Sequence, residues 1–592
     1  MLNRIISLVI LLVVFIEAPI LALENIDFIY PKNKPSIFKT TPLKKPEFKK
    51  NNKILNKNFV QPKKKPLQEE NKLNIEVVKE AIKEEKKDFS KIRAKTSVKQ
   101  TNIFIYPKKK PISYRVTNNI IKNSKILKQK DFQKAKEVLT FVKSGKWNSA
   151  LKLTKKVKDQ EFRNLINWMY LKTTGNRATF NDYQKFIEKN AYYPRINRLQ
   201  YLAEHKIYLR NNSPTAIINW FNKFPPVSGM GKIKLAEAYL EQGQIDNVKP
   251  LIKEGWINAS ISKNELGYYR AKFKKFINSE DHIKRADYLA WNNKYWDLKR
   301  MLKYLPKDEK ALYNARQILM SNSYGVDKAI SNVPNHLTND VGLEYDRLKW
   351  RNRRGRLESS LQILYSNGNK QEDELVRADL WWKQRESVVR TLIYKKRYKT
   401  AYKVASEHSL SFGPEFAEAE WLSGWVALSF LKSPEYAINH FQNFYNNVSY
   451  PISLARGAYW LGKSYQSLSD QKNAEKYFNE GSVYMTTFYG QLSFNEINKG
   501  GEFILEDNSD YTEKYEKEFN ENKLISHVLL LKELDATKYS KDILKHLALL
   551  NIEEGSEVLA AQLATRIERY DYAIQISKKA SYDKRFYNKY NY

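Results

Sequence analysis

The sequence contains no cysteine, and its 592 residues include only 20 glycines and 19 prolines. Without cysteine, disulfide scaffolds, zinc knuckles, iron–sulfur clusters and thiol nucleophiles are excluded together. The seven histidines occur singly, so no metal site and no cofactor is expected. Because glycine and proline are sparse, the chain needs few tight turns, which favours long helices over many short strands.

Apolar and aromatic residues are plentiful by contrast. They make up 42% and 13% of the chain, which is enough to fill buried cores and argues against disorder throughout. The length exceeds what one hydrophobic core usually organises. We therefore expect either several domains or a repeat array.

The net charge of +38 is concentrated near the N-terminus. Residues 31–130 contain 29 Lys or Arg against 8 Asp or Glu. A basic surface suits any polyanion, whether nucleic acid, anionic lipid or a wall polymer that carries carboxylates. The chain is also rich in Lys, Asn and Ile together, and an AT-rich genome produces this composition without selection for a partner.

The first residues have the pattern of an export signal. A short basic start ending at Arg4 is followed by an apolar run from Ile5 to Ile16, which Glu17 ends. Such a run rises about 18 Å as a helix, short of the roughly 30 Å hydrocarbon core. We interpret 1–22 as a signal peptide cleaved near Ala18 or Ala22. An uncleaved anchor is the alternative, since neither cleavage site has a small residue at −3.

Residues 23–130 form a basic arm with regularly spaced prolines. Its proline–lysine modules are PKNKP (31–35), PLKKP (42–46) and PKKKP (62–66 and 107–111). Each proline fixes φ and like charges repel, so the arm is predicted to be extended and disordered. It is either a spacer that contacts anionic envelope surfaces or a solvated linker without a specific partner.

Residues 131–592 have the spacing of paired antiparallel helices. Leu461, Gly462 and Tyr465 precede Ala474 and Phe478 at the distances typical of a tetratricopeptide repeat (TPR), in which small and large residues let two helices nest. The preceding unit has the same order in Gly424, Ala437 and Phe441. The predicted fold class is all-α, a right-handed open superhelix of TPR-like pairs with most aromatic side chains in its core. Nucleic-acid binding is not expected, because the most basic region contains few aromatics.

Several segments of this body occur in an order that is shared with a known family. They include LINWMYL (165–171), EDHIKRADYL (280–289), VPNHLTNDVGLEYDRLKWRNRR (333–354), AEAEWLSGWVAL (417–428), SLARGAYWLGKSY (453–465) and TTFYGQL (486–492). In this series the chain resembles the non-catalytic, superhelical part of soluble lytic murein transglycosylases of the alphaproteobacterial type.

The resemblance implies a periplasmic protein that binds peptidoglycan glycan strands. It implies a U-shaped superhelical domain over 131–369 and a linker-type domain over 370–592, followed in the family by a lysozyme-like catalytic domain. That domain cleaves the bond between N-acetylmuramic acid and N-acetylglucosamine and leaves a 1,6-anhydro product. Its single essential glutamate acts as acid and then as base, which requires a raised pKa.

The sequence departs from the family in the motifs of the catalytic domain. The Gly-Leu-Met-Gln segment of the catalytic domain does not occur. The Gln-Arg-Glu-Ser string at 384–387 imitates the catalytic Glu-Ser signature, but it places Glu386 beside Arg385 in a predicted helix. We interpret Glu386 as a surface carboxylate and predict no catalytic residue. The chain is then part of an enzyme whose catalytic domain lies elsewhere in the complete protein, a stand-alone periplasmic scaffold, or a generic TPR-type adaptor.

The segment TTFYGQL supplies the candidate site residues. In the family it lies near the junction with the catalytic domain, so Tyr489 and Gln491 are candidates for a docking surface. The alternative is that Tyr489 belongs to the repeat core. The expected partners are glycan strands and, through 31–130, anionic envelope surfaces, and the chain is expected to be a monomer.

Overall fold

The computed structural model describes residues 121–591 apart from 322–323, 499–500, 502–504, 506 and 508. The predicted signal peptide and the arm up to residue 120 lie outside the described residues. Every regular element of the described part is helical, with no strand. The all-α prediction is therefore confirmed.

Twenty-seven α-helices are described. The first fourteen are α1 (Gln129–Lys143), α2 (Trp147–Thr154), α3 (Gln160–Leu171), α4 (Phe180–Lys189), α5 (Ile196–Glu204), α6 (Pro214–Lys223), α7 (Gly229–Glu241), α8 (Ile245–Asn258), α9 (Lys263–Lys272), α10 (Ser279–Trp291), α11 (Tyr295–Met301), α12 (Lys307–Leu319), α13 (Val326–Ser331) and α14 (Val341–Arg353).

The other thirteen are α15 (Leu357–Ser366), α16 (Ala378–Tyr394), α17 (Tyr398–Ser406), α18 (Gly413–Val426), α19 (Pro434–Asn446), α20 (Pro451–Ser467), α21 (Gln471–Ser482), α22 (Phe488–Ile497), α23 (Glu513–Glu521), α24 (Lys523–Glu533), α25 (Lys541–Leu547), α26 (Ser556–Arg566) and α27 (Tyr570–Ala580). A π-helical turn, Ala427–Leu431, continues α18. Short 3₁₀ turns lie at Leu302–Tyr304, Asn335–Leu337, Thr537–Ser540, Ser581–Asp583 and Asn588–Tyr590.

Helix starts are set by local side-chain caps. Thr179 accepts from the Asp182 amide while the Asp182 carboxylate accepts from the Thr179 amide, which is a capping box at the start of α4. Ser262 with Glu265 does the same for α9, and Asn278 caps α10 with Asp281. Each box satisfies backbone N–H groups that the first turn leaves without a partner.

Successive helices pack as the repeat spacing predicts. A Cβ added at Gly462 on α20 would lie 2.5 Å from Phe478 Cε1 on α21. In the preceding pair, a Cβ at Gly424 would lie 2.8 Å from Phe441 Cε1. The small-against-large contacts predicted from sequence are therefore confirmed in both pairs.

Fully buried arginines connect neighbouring pairs. Arg316 on α12 donates to Asp346 on α14 (2.9 Å) and to Asp287 on α10 (2.8 Å). Arg285 on α10 donates to the carbonyls of Trp256 and Ala259, at the end of α8. The ion pairs of Arg316 and the hydrogen bonds from Arg285 to helix-end carbonyls connect α8, α10, α12 and α14.

The first and last helices of the described body also pack together. One core cluster combines residues of α1–α7 with residues of α23–α27. Lys172, which follows α3, pairs with Asp542 on α25 (2.8 Å), and Tyr193 hydrogen-bonds His527 on α24. The open array predicted from the repeats is therefore wrong at its ends, because repeat spacing describes only contacts between neighbours.

Residues 121–130, which the sequence-based division assigns to the arm, belong to this body. Leu127 is buried in the same core cluster, and the Ser124 hydroxyl donates to Glu533 on α24. The Ser124 oxygen also accepts from the amides of Ile126 and Leu127.

Among the described residues, no helix is both long enough and apolar enough to cross a membrane.

Candidate functional site: an aromatic and arginine cluster on α18, α20 and α22

Three alternate helices near the end of the repeat array bring large aromatic side chains and one arginine together. On α20 these side chains recur at helical spacing along one stripe, and on α18 the two tryptophans are four residues apart. We call this group the Trp–Arg cluster: Trp421 and Trp425 on α18, Arg456, Tyr459 and Trp460 on α20, and Tyr489 on α22. All six side chains are partly exposed, unlike the fully buried tryptophans of the core.

Arg456 lies at the centre of the Trp–Arg cluster. Its guanidinium carbon is 3.4 Å from the centroid of the Trp421 ring, a close cation–π contact. Trp421 stacks on Trp425 with centroids 5.8 Å apart and planes 9° apart, and it meets Trp460 edge to face at 6.1 Å. The arginine is thus held on a platform of ring faces.

Tyr489 completes the cluster from α22. Its ring lies 5.5 Å from that of Tyr459, and Tyr489 is among the groups that raise the pKa of Arg456. A Cβ at Gly490 would come within 1.9 Å of the Tyr484 carbonyl oxygen, so only glycine fits behind Tyr489. The Thr487 hydroxyl accepts from the Gly490 amide and caps α22. These contacts fix the position of Tyr489 beside Tyr459.

Arg456 forms no ion pair within 4.0 Å among the described residues, although the carboxylate of Glu418 acts on its charge. Burial lowers its pKa, while Tyr489 and Glu418 raise it and Arg390 lowers it further. Its Nε is buried and makes no hydrogen bond. Nearby cations are paired at 4.0 Å or less, such as Arg390 with Glu386 and Lys463 with Glu496, whereas no ion pair of the described residues includes Arg456.

The indole N–H groups of Trp421 and Trp460 are also buried without a hydrogen-bond partner. By itself this is weak evidence for a ligand, since core tryptophans such as Trp220 and Trp381 share it. The difference is that in the Trp–Arg cluster such donors occur beside partly exposed aromatic side chains and an arginine that forms no ion pair within 4.0 Å among the described residues. Flat apolar faces with N–H donors at their edges are suited to a ligand that is itself amphipathic, such as a sugar ring.

The structure separates the two residues predicted for a docking surface. Tyr489 belongs to the Trp–Arg cluster, whereas Gln491 is exposed and its side-chain amide donates to the Met485 carbonyl (3.0 Å). Phe488, next to Tyr489, is 49% exposed. Only Tyr489 of the predicted pair therefore lies with the other candidate residues, and docking by either residue stays a prediction.

The Gln-Arg-Glu-Ser string (384–387) lies on α16. Glu386 is partly exposed and accepts twice from Arg390, one turn further along the helix (2.9 and 2.7 Å). Arg385 is fully buried and donates to the Val404 carbonyl (3.1 Å). The sequence-based reading placed Arg385 beside Glu386, but the two side chains point to different faces and Arg390 is the actual partner.

Trp421, Trp425, Arg456 and Trp460 did not appear as candidates from sequence, because aromatics at helical spacing were interpreted as core. The available signal was the pair of tryptophans in WLSGW (421–425) followed by Arg456 and Trp460 with the same separation on the next repeat. The described residues hold no group of three or more His, Asp or Glu side chains arranged for a metal ion.

The fold is shared with solved lytic transglycosylases. The 70 kDa soluble lytic transglycosylase of Escherichia coli is 12% identical, with a TM-score of 0.50 over 76% of this chain and 70% of that one. Its complex with bulgecin A gives a TM-score of 0.51 at the same coverage and identity. An inactive variant of the lytic transglycosylase Slt from Pseudomonas aeruginosa is 15% identical, with a TM-score of 0.52 over 77% and 71% of the two chains. No protein-family profile and no curated protein sequence matches the chain.

Proposed function

We propose that this chain is the superhelical part of a peptidoglycan lytic transglycosylase and that it positions glycan strands for cleavage. The observation that carries the proposal is the Trp–Arg cluster, a group of partly exposed aromatic side chains around one arginine, on a fold shared with such enzymes. Stacking of sugar rings on Trp421 and Trp425 would hold a strand without any covalent step. The periplasm is the compartment that fits this role.

In this proposal a lysozyme-like catalytic domain, which in the family follows the superhelix, cleaves the glycosidic bond. A general acid in glycoside cleavage needs a raised pKa within a cleft that grips the sugar on both sides of the bond. Glu386 lies in no such cleft, since it pairs with Arg390 on the surface of α16. Tyr489 would then serve the surface that presents the strand to that domain.

A stand-alone scaffold that binds glycan or envelope proteins is the second candidate. The same exposed cluster supports it, because stacked helical pairs commonly present a binding surface along the array. The two candidates share the binding step and differ only in the chemistry that follows.

Binding is tested by sedimenting the purified full chain with murein sacculi. Trp421→Ala removes the ring that supports Arg456, so we expect the dissociation constant to rise about tenfold, the effect of losing roughly 1.4 kcal/mol. Trp296→Ala is the matched control, because Trp296 lies on α11, is 65% exposed and is outside the cluster. Equal loss in both variants, or no binding by the unaltered chain, would contradict the proposal.

Cleavage is tested by incubating sacculi with the same chain and reading anhydro-muropeptides by mass spectrometry. We expect no release above background, since Glu386 pairs with Arg390 on the surface of α16 and lies in no sugar-binding cleft. Release that disappears in Glu386→Gln would show that Glu386 is catalytic. The assignment of cleavage to a separate catalytic domain would then be wrong.

A further inference from the structure

The alternate helices α10, α12, α14 and α16 end along one edge of the array. Arg353, the last residue of α14, donates to the Met320 carbonyl directly after α12 (3.0 Å). Lys349, also on α14, donates to Asn293 in the turn after α10 (3.1 Å). The turns that follow α10, α12 and α14 are therefore neighbours.

The turn after α16 extends the same edge. Arg397 in this turn pairs with Glu358, in the first turn of α15. We call the surface formed by residues 292–299, 353–358 and 394–399 the turn edge. Neighbouring helices pack roughly 10 Å apart, so the turn edge extends over about 30 Å.

The three turns have the same backbone conformation. Each contains one residue in the left-handed region, which is Asn293 (φ 55°), Gly355 (φ 65°) or Lys396 (φ 59°). The amide that follows this residue donates back to a helix carbonyl and ends the helix. The residues at that following position are basic in all three turns: Lys294, Arg356 and Arg397.

Positive charge outweighs negative charge along the turn edge. The further exposed basic residues are Lys299, Arg353, Arg354, Lys395, Lys396 and Lys399. The two carboxylates of these segments, Asp297 and Glu358, are paired with Arg300 and Arg397. The turn edge therefore attracts anions.

The charge is densest at the end of α14. Arg354 and Arg356 both lie near the Trp350 ring, 5.2 and 4.8 Å from its centroid. Burial lowers the pKa of Arg351, and the nearby cations Arg347 and Arg356 lower it further. Guanidinium groups held this close repel one another, and a phosphate that accepts hydrogen bonds from them would offset the repulsion.

Two large aromatic side chains of the turn edge extend into solvent. Trp296 is 65% exposed and Tyr394 is 88% exposed. A structural explanation of the cations is that they stabilise the negative ends of the helix dipoles, but this does not account for exposed rings. Trp and Tyr side chains next to basic residues are typical of surfaces that contact a bilayer at the level of its headgroups.

We propose that the turn edge is a docking surface for lipid bilayers with anionic phospholipid headgroups. The cations would bind headgroup phosphates, and Trp296 and Tyr394 would enter the interface between headgroups and acyl chains. The turn edge lies on α10–α17, whereas the Trp–Arg cluster lies on α18, α20 and α22. The proposal is thus independent of glycan binding.

Single-stranded nucleic acid is the competing ligand, since it combines phosphates with bases that stack on aromatic rings. Such binding uses rings that follow one another along a basic groove. Trp296 and Tyr394 instead belong to turns that are separated by those after α12 and α14. Single rings at separate points of a basic surface favour the bilayer.

The first experiment measures co-sedimentation of the full chain with vesicles of phosphatidylglycerol and phosphatidylcholine in equal parts. Lys395→Gln/Lys396→Gln removes two exposed charges from the turn edge and should lower the partition coefficient about thirtyfold. Lys514→Gln/Lys517→Gln is the matched control, because both lysines are exposed on α23, which packs with the first helices. The same change in net charge there should lower partition less than about twofold.

The second experiment locates the contact, because the predicted signal peptide and basic arm also favour anionic lipid. The chain has no cysteine, so Tyr394→Cys takes an environment-sensitive fluorophore at one position only. Its emission should shift to shorter wavelength on the anionic vesicles and stay unchanged on pure phosphatidylcholine. Phe412→Cys is the control, since Phe412 is 73% exposed and directly precedes α18, where an alternate helix begins.

Contact through the turn edge requires the loss of partition in Lys395→Gln/Lys396→Gln together with a shift of the Tyr394 label alone. Co-sedimentation that survives this double variant, or that leaves the Tyr394 label unshifted, would assign binding to other residues and overturn the proposal. An equal shift of the Phe412 label would do the same.

Two further ligands test the chemistry of the turn edge. Tighter binding of a single-stranded oligonucleotide than of the anionic vesicles would overturn the proposal in favour of nucleic acid. Saturable binding of inorganic phosphate without vesicle binding would show a small-anion site instead. Binding to sacculi is measured separately, so none of these results affects the proposed glycan-holding function.

Discussion

Single glycines determine how closely the paired helices approach. Gly462 is the clearest case, because a Cβ there would lie 2.5 Å from the Phe478 ring. The higher helix propensity of alanine should make Gly462→Ala more stable by about 1 kcal/mol. Overpacking against Phe478 should lower the free energy of unfolding by about 1–3 kcal/mol. We expect a net loss of stability of about 1 kcal/mol, measured as a lower midpoint of thermal unfolding by circular dichroism.

Gly267 provides the matched control for that prediction. It lies within α9, and no atom comes within 4 Å of a Cβ built at this position. Gly267→Ala should therefore gain the propensity without the clash, and raise the midpoint slightly. Equal shifts in the two variants would show that Phe478 does not limit the approach of α20 and α21.

The residue scale also shows what sequence could and could not predict about the site. Gly462 and Phe478 are 16 residues apart within one repeat, so the spacing of the repeat was enough to pair them. Tyr489 and Gln491 are neighbours in the motif, but two residues on a helix differ by about 200° in direction, so only one of them could join the cluster. The contact of Arg456 with Trp421 joins two repeats and depends on rotamers, which the repeat spacing leaves undetermined.

At the scale of the element, a buried carboxylate holds α18 in place. Glu420, next to Trp421, accepts from His440 Nδ1 on α19 (2.6 Å) and lies 3.2 Å from His408 Nε2, in the loop before α18. Tyr402 on α17 contacts the other nitrogen of His440 (3.0 Å). This network fixes the rotation of α18, and hence the direction in which Trp421 points.

Glu420→Gln should destabilise the protein in a pH-dependent way. Burial raises the pKa of Glu420, but the two imidazoles lower it more, to about 2 from 4.5. A carboxylate with a depressed folded-state pKa stabilises the fold above its ordinary pKa, and this contribution is lost as the pH falls toward 2. We expect the variant to be less stable by up to about 3 kcal/mol at pH 6 and by much less at pH 3, measured by urea unfolding.

Glu435→Gln serves as the control for the charge change alone. Glu435 is exposed in the first turn of α19 and lies close in sequence to the same elements. Loss of the Glu435 charge should change the free energy of unfolding by less than about 0.5 kcal/mol at both pH values. If the effect of Glu420→Gln were equally independent of pH, the imidazole–carboxylate network would not be the source of its stability.

At the scale of the whole described body, the contacts between the first and last helices could not be predicted from the sequence. Tyr193 and His527 are separated by 334 residues, and Lys172 and Asp542 by 370. Helix pairing repeats locally and could be recognised from small residues at fixed offsets, but no periodic signal connects the two ends. The family resemblance implied a linker-type domain after the U-shaped one, without identifying which side chains of the two ends meet.

His527 makes the packing of these ends sensitive to acid. It is buried, and desolvation lowers its pKa to about 4, although Glu161 and Asp159 raise it and Lys523 contributes in both directions. Because the folded state binds this proton poorly, protonation favours separation of the ends. The stabilisation is complete above pH 6.5 and declines as the pH falls toward 4, by about 2 kcal/mol at pH 5.

This dependence predicts that α3 and α24 exchange their amide hydrogens faster in acid. After correction for the intrinsic pH effect, exchange at pH 5 should exceed that at pH 7 by about thirtyfold, the equivalent of about 2 kcal/mol. His527→Gln keeps a polar group opposite Tyr193 but does not titrate, so its protection should be nearly the same at both pH values. His336→Gln, which alters an exposed imidazole, should leave the acid response unchanged. An acid response that survived His527→Gln would assign it to other pairs between the ends, such as Lys172 with Asp542.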